Sequence, residues 1–298
     1  MKRLTLHNPF GAPVYHENIV SSTMDVSRAL AAEGSPHGTV AAADFQEAGR
    51  GRAGRSWDMN RGENLPFTIL LRYSRAGEIP KALTLKTGLA VSLALEDFLP
   101  SLAGKVLVKW PNDIMIPASP QFDDSAAPGA GPAAVFRKAA GILAEARGGT
   151  VFVGVGINVS QRRFPGLPRD KATSLALAAG VAIAPESRFT LLEKILRRLY
   201  EELEAPPRRA EGPEGPEAED ARPESWHGRL EARLYKKGER VTFSEGAADS
   251  GRDIAGTLDG IGPGGELLLR LEGETEARPF VTGELRVYRN SRGQRHVG

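Results

Sequence analysis

The sequence has no cysteine among its 298 residues, so it can form neither a disulfide framework nor a thiol nucleophile, and this absence fits a reducing compartment. It also lacks any run of about 18 apolar residues that could span a membrane, and residues 1–9 lack the apolar stretch of a signal peptide. The five histidines are scattered without the spacing of metal ligands. Together these absences predict a cytoplasmic protein with no membrane partner.

A strong charge of one sign is absent as well. The 39 Lys and Arg residues are balanced by 37 Asp and Glu residues, which leaves a formal net charge of only +2. No overall field therefore draws the chain to nucleic acid, and the sequence predicts no DNA partner. A local cluster of arginines in such a chain is better suited to a small anion.

The main feature that is present is the segment GRGRAGRSW at residues 49–57. Its three glycines allow the backbone to approach a ligand closely, and its three arginines carry forked donors that match phosphate or carboxylate oxygens. Trp57 adds a flat apolar face on which a nucleobase can stack. The segment could therefore close over a nucleotide. A solvated basic turn, or an arginine-glycine segment that binds RNA without a pocket, is equally consistent with these residues alone.

The length predicts about two domains of roughly 150 residues each. Apolar runs predict strands, and helical periodicity predicts helices; the strands are 39–45, 66–72, 105–110, 139–145 and 151–159, and the helices are 24–32, 81–99, 189–203 and 225–237. Five short segments with glycine-rich turns predict a small barrel; they are 240–244, 254–259, 266–271, 277–281 and 284–288. The expected domains are thus 1–237 and 238–298, with flexible excursions at 117–135 and 205–224.

Three further segments carry groups suited to nucleotide chemistry. KWPND (109–113) ends a predicted strand with an amine and a carboxylate, KAAGILAE (138–145) opens a strand with a lysine, and GVGIN (154–158) combines two glycines with an amide. Each is weak alone, since Asn-Asp after proline is usually a turn and a strand glycine is usually a bulge. With residues 49–57 they supply two lysines, three arginines, a carboxylate for Mg²⁺ and an aromatic platform, which suits nucleotidyl transfer better than hydrolysis.

Ser-Ser-Thr at 21–23, Gln46 and these four segments stand in the order found in biotin protein ligases, and the chain clearly resembles that family. The pair GRGRxGRxW and KWPND is specific, and the resemblance extends to GTLDGI (256–261) and GEL (283–285). It implies an α+β fold, in which a mixed β-sheet with flanking helices, similar to class II aminoacyl-tRNA synthetases, is followed by an SH3-like barrel. No room remains before Ser22 for the helix-turn-helix domain of the longer relatives that also act as repressors.

The resemblance also implies an activity: biotin is activated by ATP, with Mg²⁺, as biotinyl-5′-AMP and is then transferred to a lysine of a biotin carboxyl carrier domain. A homodimer is a further partner to be tested. The site residues follow the family motifs, without an assigned metal ligand: Lys138, Arg52 and Asp113 for catalysis; Ser22, Thr23, Gln46, Gly49, Arg50, Gly51, Lys138 and Gly141 for biotin; Arg52, Arg55, Trp57, Lys109, Asn112, Asp113 and Asn158 for ATP.

This chain departs from the family pattern at three places. Met24 stands where the family usually has asparagine, the segment between Asp113 and Lys138 is much longer than the usual hairpin, and residues 205–224 are extra. Three rival functions remain. A lipoate protein ligase would share the fold and the adenylate chemistry, a nucleic-acid-binding regulator would use the arginine segment on a phosphate backbone, and an inactive ligase would keep the fold alone.

Overall fold

The computed structural model describes residues 1–118, 135–164, 171–204, 225–246 and 252–287. The predicted excursion 205–224 and most of the excursion 117–135 lie outside these residues. The described chain divides into two compact units: residues 1–108 with 112–204, and residues 109–111 with 225–287. No helix within the described ranges is long and apolar enough to cross a membrane.

The first unit is built on an eight-stranded mixed sheet with the order β1-β2-β3-β4-β8-β7-β6-β5. Its strands are β1 (Lys2–Leu4), β2 (Val14–Glu17), β3 (Thr39–Ala43), β4 (Asn64–Arg72), β5 (Leu107–Lys109), β6 (Asp113–Pro117), β7 (Phe136–Arg147) and β8 (Thr150–Asn158). β2 runs parallel to β3, whereas β3, β4, β8, β7 and β6 pair antiparallel in succession. The mixed sheet that was expected is therefore confirmed.

The helices of this unit are α1 (Thr23–Ala32), α2 (Leu83–Phe98), α3 (Leu175–Ala179) and α4 (Ser187–Leu203). α1 packs on β3, β4 and β8, while α2 packs on β6, β7 and α4. Met24 of α1 lies against Gly154 of β8, and Gly88 of α2 lies against Ile142 of β7. Since side chains alternate along a strand, Gly154 and Ile142 mark opposite faces of the sheet, with α1 on one face and α2 on the other.

The sequence of β4 explains its central position. In NLPFTILLR every residue except the last is buried, as expected for a strand that is covered on both faces. α2 is likewise apolar over most of its surface and buries Leu85, Leu89 and Leu95 between the sheet and α4.

The second unit contains α5 (Trp226–Glu231) and a five-stranded antiparallel sheet. Its strands, in the order β12-β11-β10-β9-β13, are β9 (Arg240–Glu245), β10 (Arg252–Ile261), β11 (Leu267–Leu271), β12 (Arg278–Phe280) and β13 (Gly283–Val287). Phe243 lies at its centre and contacts the rings of Trp110 and Phe280, at centroid distances of 5.9 and 4.8 Å. All five predicted strands are present, and the α+β class with a small SH3-like unit is confirmed.

The predicted helix at 225–237 is shorter than expected. Its N-cap, Ser225, accepts a hydrogen bond from the Gly228 amide at 3.0 Å, but the helix ends at Glu231. The backbone of Lys236 adopts a positive φ of 68°, which a right-handed helix cannot contain. The side chain of Lys237 then folds back to pair with Glu231.

Candidate active site

A polar cleft lies on the α1 face of the sheet, entirely within the first unit. It is bounded by the start of α1, by residues 49–57 and by the central parts of β7 and β8. Its lining brings together ten of the predicted site residues and six others: Ser22, Thr23, Gln46, Arg50, Gly51, Arg52, Trp57, Asn112, Lys138 and Gly141, with Met24, Ile142, Leu143, Gly154, Val155 and Gly156.

One wall of the cleft is the first turn of α1. Ser22 is the N-cap, and its hydroxyl accepts a hydrogen bond from the Met24 amide at 3.3 Å, which satisfies one of the free donors of a helix start. Gln46 Oε1 accepts from the amide and the hydroxyl of Thr23 at 2.8 and 3.0 Å. Thr68 donates to the Thr23 hydroxyl at 2.9 Å. This network fixes hydroxyl and amide groups that can bind a polar ring.

Residues 49–57 form a tight turn, called here the arginine hairpin. The Trp57 amide donates to the Gly49 carbonyl at 2.9 Å, and Arg50 pairs with Ser56 across the hairpin. A single 3₁₀ turn at Arg52–Gly54 forms the tip. Gly49 has no room for a side chain, because a Cβ there would lie 2.7 Å from the Trp57 carbonyl oxygen. Two predicted biotin residues, Gly49 and Gly51, thus shape the hairpin backbone.

The floor of the cleft consists of glycines on adjacent strands. Gly141 of β7 pairs directly with Gly156 of β8, and the indole of Trp57 lies across both. A Cβ at Gly156 would stand 2.6 Å from the indole, and one at Gly141 would stand 3.0 Å from it. The buried indole nitrogen has no hydrogen-bond partner among the described residues. The floor is therefore a flat slot that accepts a planar ring.

Lys138 brings a cationic amine to this floor. Its Nζ lies 2.6 Å from Asp113 Oδ1 and 5.4 Å from the centre of the Trp57 ring. The backbone of Lys138 is fixed by the Lys171 carbonyl and the Thr173 amide, at 3.1 and 2.9 Å. Sequence reasoning placed Lys138 and Asp113 in one site, and their side chains form an ion pair, although Asp113 itself does not line the cleft.

Asn112 connects the arginine hairpin to β7. Its side-chain nitrogen donates to the Ile142 carbonyl at 2.8 Å, and its Oδ1 accepts from Arg52 Nη1 at 3.2 Å. The amide thus orients an arginine at the mouth of the cleft.

The remaining predicted nucleotide residues lie outside the lining of the cleft. Arg55 borders a second cavity, which is lined by residues 50–55 of the hairpin together with Leu143 and Glu145. Lys109 ends β5 and is grouped with the second unit. Asn158 ends β8 and is buried, and it donates to the Thr173 carbonyl at 3.0 Å. Its Oδ1 accepts no hydrogen bond from any described residue, so a buried acceptor remains available there.

Two features of the site escaped the sequence reasoning. Met24 places its sulfur under Gly154 and packs with Leu70 and Phe152, so the residue that replaces the usual asparagine belongs to an apolar cluster. Asp25 pairs with Arg50 of the hairpin. Burial opposes its ionisation, but the hydrogen bonds and charges of Arg50 and Arg28 outweigh burial and lower the pKa of Asp25. In the sequence, Asp25 is only a common first-turn acid.

A metal site built by the protein alone is not evident in the described ranges. No group of three or more His, Cys, Asp or Glu side chains is assembled there as metal ligands. Mg²⁺ that accompanies a nucleotide commonly keeps several waters and binds substrate phosphates with only one or two carboxylates.

Comparison with known proteins identifies relatives of this chain. Residues 17–161 match the model of the Biotin/lipoate A/B protein ligase family. A biotin–[acetyl-CoA-carboxylase] ligase of Paracoccus denitrificans is 30% identical over 240 residues, which are 76% of this chain and 81% of that protein. The bifunctional ligase/repressor BirA of Bacillus subtilis is 35% identical over 178 residues, 57% of this chain and 48% of the relative. The chain thus spans about half the length of such ligase/repressors.

The solved structures show the same relationship over almost the whole chain. The biotin protein ligase from Aquifex aeolicus in complex with biotin and ATP superposes with a TM-score of 0.67 and 27% identity, covering 93% of this chain and 99% of that one. A mutant of the Aquifex aeolicus ligase in complex with biotin gives a TM-score of 0.65 at 27% identity, covering 93% and 98%. The cleft, the fold and the sequence matches lead to one conclusion: the chain belongs to the biotin protein ligase family.

Proposed function

We propose that this protein joins biotin to a lysine of a biotin carboxyl carrier domain in two ATP-dependent steps. In the first, a biotin carboxylate oxygen attacks the α-phosphorus of ATP, pyrophosphate leaves, and biotinyl-5′-AMP forms. In the second, the neutral lysine amine attacks the acyl carbon, the acyl–phosphate bond breaks, and AMP leaves as the amide forms. The observation that carries the proposal is the Lys138 amine, held on the glycine floor beside the arginine hairpin.

Electrostatics explain the need for this arrangement. A carboxylate and a triphosphate repel each other, and cations fixed in a partly dehydrated cleft reduce that repulsion most in the transition state. Lys138 is placed to bridge the carboxylate and the α-phosphate, while Arg52 faces the phosphates from the hairpin. The network of Ser22, Thr23 and Gln46 would hold the polar ring of biotin.

Asp113 has two successive roles in this scheme. First, its carboxylate neutralises Lys138 at 2.6 Å, which lowers the cost of keeping a cation in the cleft. When phosphate oxygens attract the Lys138 amine, the carboxylate is freed from its partner. It can then accept a proton from the incoming lysine ammonium and deliver the neutral amine that the second step requires.

The nucleotide base has two candidate contacts. Trp57 supplies a ring face for stacking, and Asn158 Oδ1, which has no hydrogen-bond partner among the described residues, can accept from an exocyclic amine. Because Trp57 lies across Gly141 and Gly156, a planar ring that binds on this part of the floor requires the arginine hairpin to move the indole aside. Closure of the hairpin afterwards would shield the mixed anhydride from water.

The decisive experiment compares the chain with its Lys138→Ala variant. Calorimetry should still detect biotin binding, but pyrophosphate release should fall by at least about a hundredfold, since one fixed charge on a developing anion contributes factors of this size. Lys171→Ala is the matched control, because that exposed residue contacts Lys138 only through its carbonyl. Unchanged pyrophosphate release in Lys138→Ala contradicts the role of Lys138. Transfer of lipoate rather than biotin to a carrier domain, seen by mass spectrometry, would contradict the substrate assignment.

A further inference from the structure

Four side chains of alternating charge form a series of ion pairs beside the cleft. The series connects three separate parts of the first unit. Arg50 of the arginine hairpin pairs with Asp25, in the first turn of α1. Asp25 Oδ1 also accepts from Arg28 Nη1 at 2.8 Å, and Arg28 in turn pairs with Glu145 of β7. Among these four side chains, Asp25 is the carboxylate that contacts both arginines. Its loss would therefore break the connection in the middle.

A second contact also holds the hairpin. Arg52 donates to Asn112 Oδ1 at 3.2 Å, while Arg50 pairs with Asp25 of α1. Both arginines line the cleft, so these two contacts connect the hairpin to α1 and to the turn before β6. The Asp25 contact also fixes the hairpin to the same helical turn that carries Ser22 and Thr23.

We propose that Asp25 is a positioning residue that keeps the arginine hairpin closed over the acyl adenylate by holding Arg50. The inference rests on the proposed function, because it concerns the retention of the intermediate of that reaction. Asp25 touches no reacting atom and acts through Arg50 alone. The hydrogen bonds and charges of Arg50 and Arg28 lower the pKa of Asp25 despite the opposing effect of burial, in agreement with the geometry of these pairs.

The size of the expected effect follows from the exposure of the pair. The side chains of Asp25 and Arg50 are 42% and 40% exposed, and exposed ion pairs contribute little to overall stability. A short glycine-containing hairpin, however, opens and closes with a small free-energy difference, so a weak contact changes its open fraction. We expect a change of about 1.5- to fivefold in the rate at which the intermediate escapes, the range that corresponds to an exposed ion pair.

The experiment measures release of the intermediate directly. The wild-type chain is loaded with biotin and radiolabelled ATP, and escape of labelled biotinyl-5′-AMP is followed after a chase with excess unlabelled substrates. Asp25→Asn should release it about 1.5- to fivefold faster, with a nearly unchanged rate of pyrophosphate formation at saturating substrate. Asp25→Glu should restore most of the retention. Glu145→Gln, which removes only the ion pair between Arg28 and Glu145, should have a smaller effect.

Asp97→Asn is the matched control. It breaks a comparable ion pair between α2 and Arg198 of α4, and it should leave the release rate unchanged. Raising the salt to about 0.5 M should speed release from the wild type towards the Asp25→Asn rate, because salt screens exposed pairs; this measurement also serves if the variant does not fold. Equal release from wild type and Asp25→Asn, or salt-independent release from the wild type, overturns the inference. A wild-type chain that forms no adenylate instead refutes the proposed function.

Discussion

At the scale of single residues, the site depends as much on missing side chains as on charged ones. Gly141 and Gly156 leave a flat slot that the Trp57 indole covers, with Lys138 beside it. Gly154 leaves space for the Met24 sulfur. A methyl group on this floor would collide with ring atoms held by the hairpin backbone, so these positions are sensitive to the smallest enlargement.

Gly156→Ala tests this dependence. The added Cβ would stand 2.6 Å from the indole, and overpacking of this kind costs about 1–3 kcal/mol. We therefore expect the free energy of unfolding to fall by this amount, measured by denaturant titration. Gly77→Ala is the control, since a Cβ at Gly77 meets nothing within 4 Å. Unchanged stability in Gly156→Ala would contradict the close packing of the indole on this floor.

Ala53 at the tip of the hairpin offers a second test. Its φ of 53° lies in the left-handed region, which costs an L-residue about 1 kcal/mol relative to glycine. Ala53→Gly should therefore relieve strain in the folded state but also make the unfolded hairpin more flexible. We expect little change in thermal stability and faster amide exchange at residues 51–55, measured by mass spectrometry. Slower exchange would contradict this view of the hairpin.

The sequence predicted much of the site at this scale. Ten predicted residues line one cleft, because short motifs with fixed spacing carry their chemistry with them. Asp25 could not be predicted, since its functional partner Arg50 is 25 residues away and Arg28 is an ordinary helical neighbour. The contact of Arg52 with Asn112 spans 60 residues. Such pairings depend on tertiary structure and leave no local signal.

At the scale of secondary structure elements, α2 and α4 form the layer behind the sheet. Asp97 of α2 accepts from Nε and Nη2 of Arg198 on α4, at 2.7 and 2.9 Å. This bidentate pair is the largest cause of the lowered pKa of Asp97. Arg197 donates to the same carboxylate at 3.2 Å. The layer is thus joined by polar contacts at its edge as well as by apolar packing.

The stability contribution of this pair should depend on pH. A carboxyl group with a lowered folded pKa stabilises the folded state above its ordinary pKa of about 4, and this contribution is lost as the pH falls through the folded value. Asp97→Asn should therefore lower the free energy of unfolding by about 1 kcal/mol at pH 7. Denaturant titrations should show the difference from wild type shrinking below about pH 4. A difference that grows towards acid would contradict the assignment.

Most elements could be predicted from periodicity, and the strands that were missed share a physical cause, whereas the missed helix α3 has only five residues. The central strands β3, β4, β7 and β8 are apolar over most of their length and were identified within a few residues. β1 is the edge strand and β2 is its neighbour; they are three and four residues long and partly exposed. β6 follows a proline-containing turn and ends in proline. Short edge or proline-bounded strands form through pairing with neighbours, which the local sequence does not show.

At the scale of the whole molecule, the residues that line the cleft all belong to the first unit. The second unit has its own core around Phe243, with Leu258, Leu267 and Leu269 fully buried. We therefore expect that the chemistry of the cleft and the packing of the second unit can be perturbed separately.

Phe243→Ala tests this separation. Removing a fully buried phenylalanine costs about 3–5 kcal/mol, so the second unit should unfold at markedly lower denaturant concentration, as followed by far-UV circular dichroism. Biotin binding by calorimetry should remain within about twofold under native conditions, because no cleft residue is altered. Loss of biotin binding in a folded Phe243→Ala protein would show that the cleft depends on the second unit.

The position of the Trp57 indole allows movement of the arginine hairpin to be followed by intrinsic tryptophan fluorescence. The sequence contains three tryptophans, of which Trp110 and Trp226 belong to the second unit. Trp57 is therefore the one tryptophan of the first unit. Its ring rests beside a lysine ammonium and an ion-paired carboxylate, and emission from such an environment changes when the ring is displaced. In a Trp110→Phe/Trp226→Phe background, stopped-flow emission should therefore time each movement of the hairpin without any attached dye.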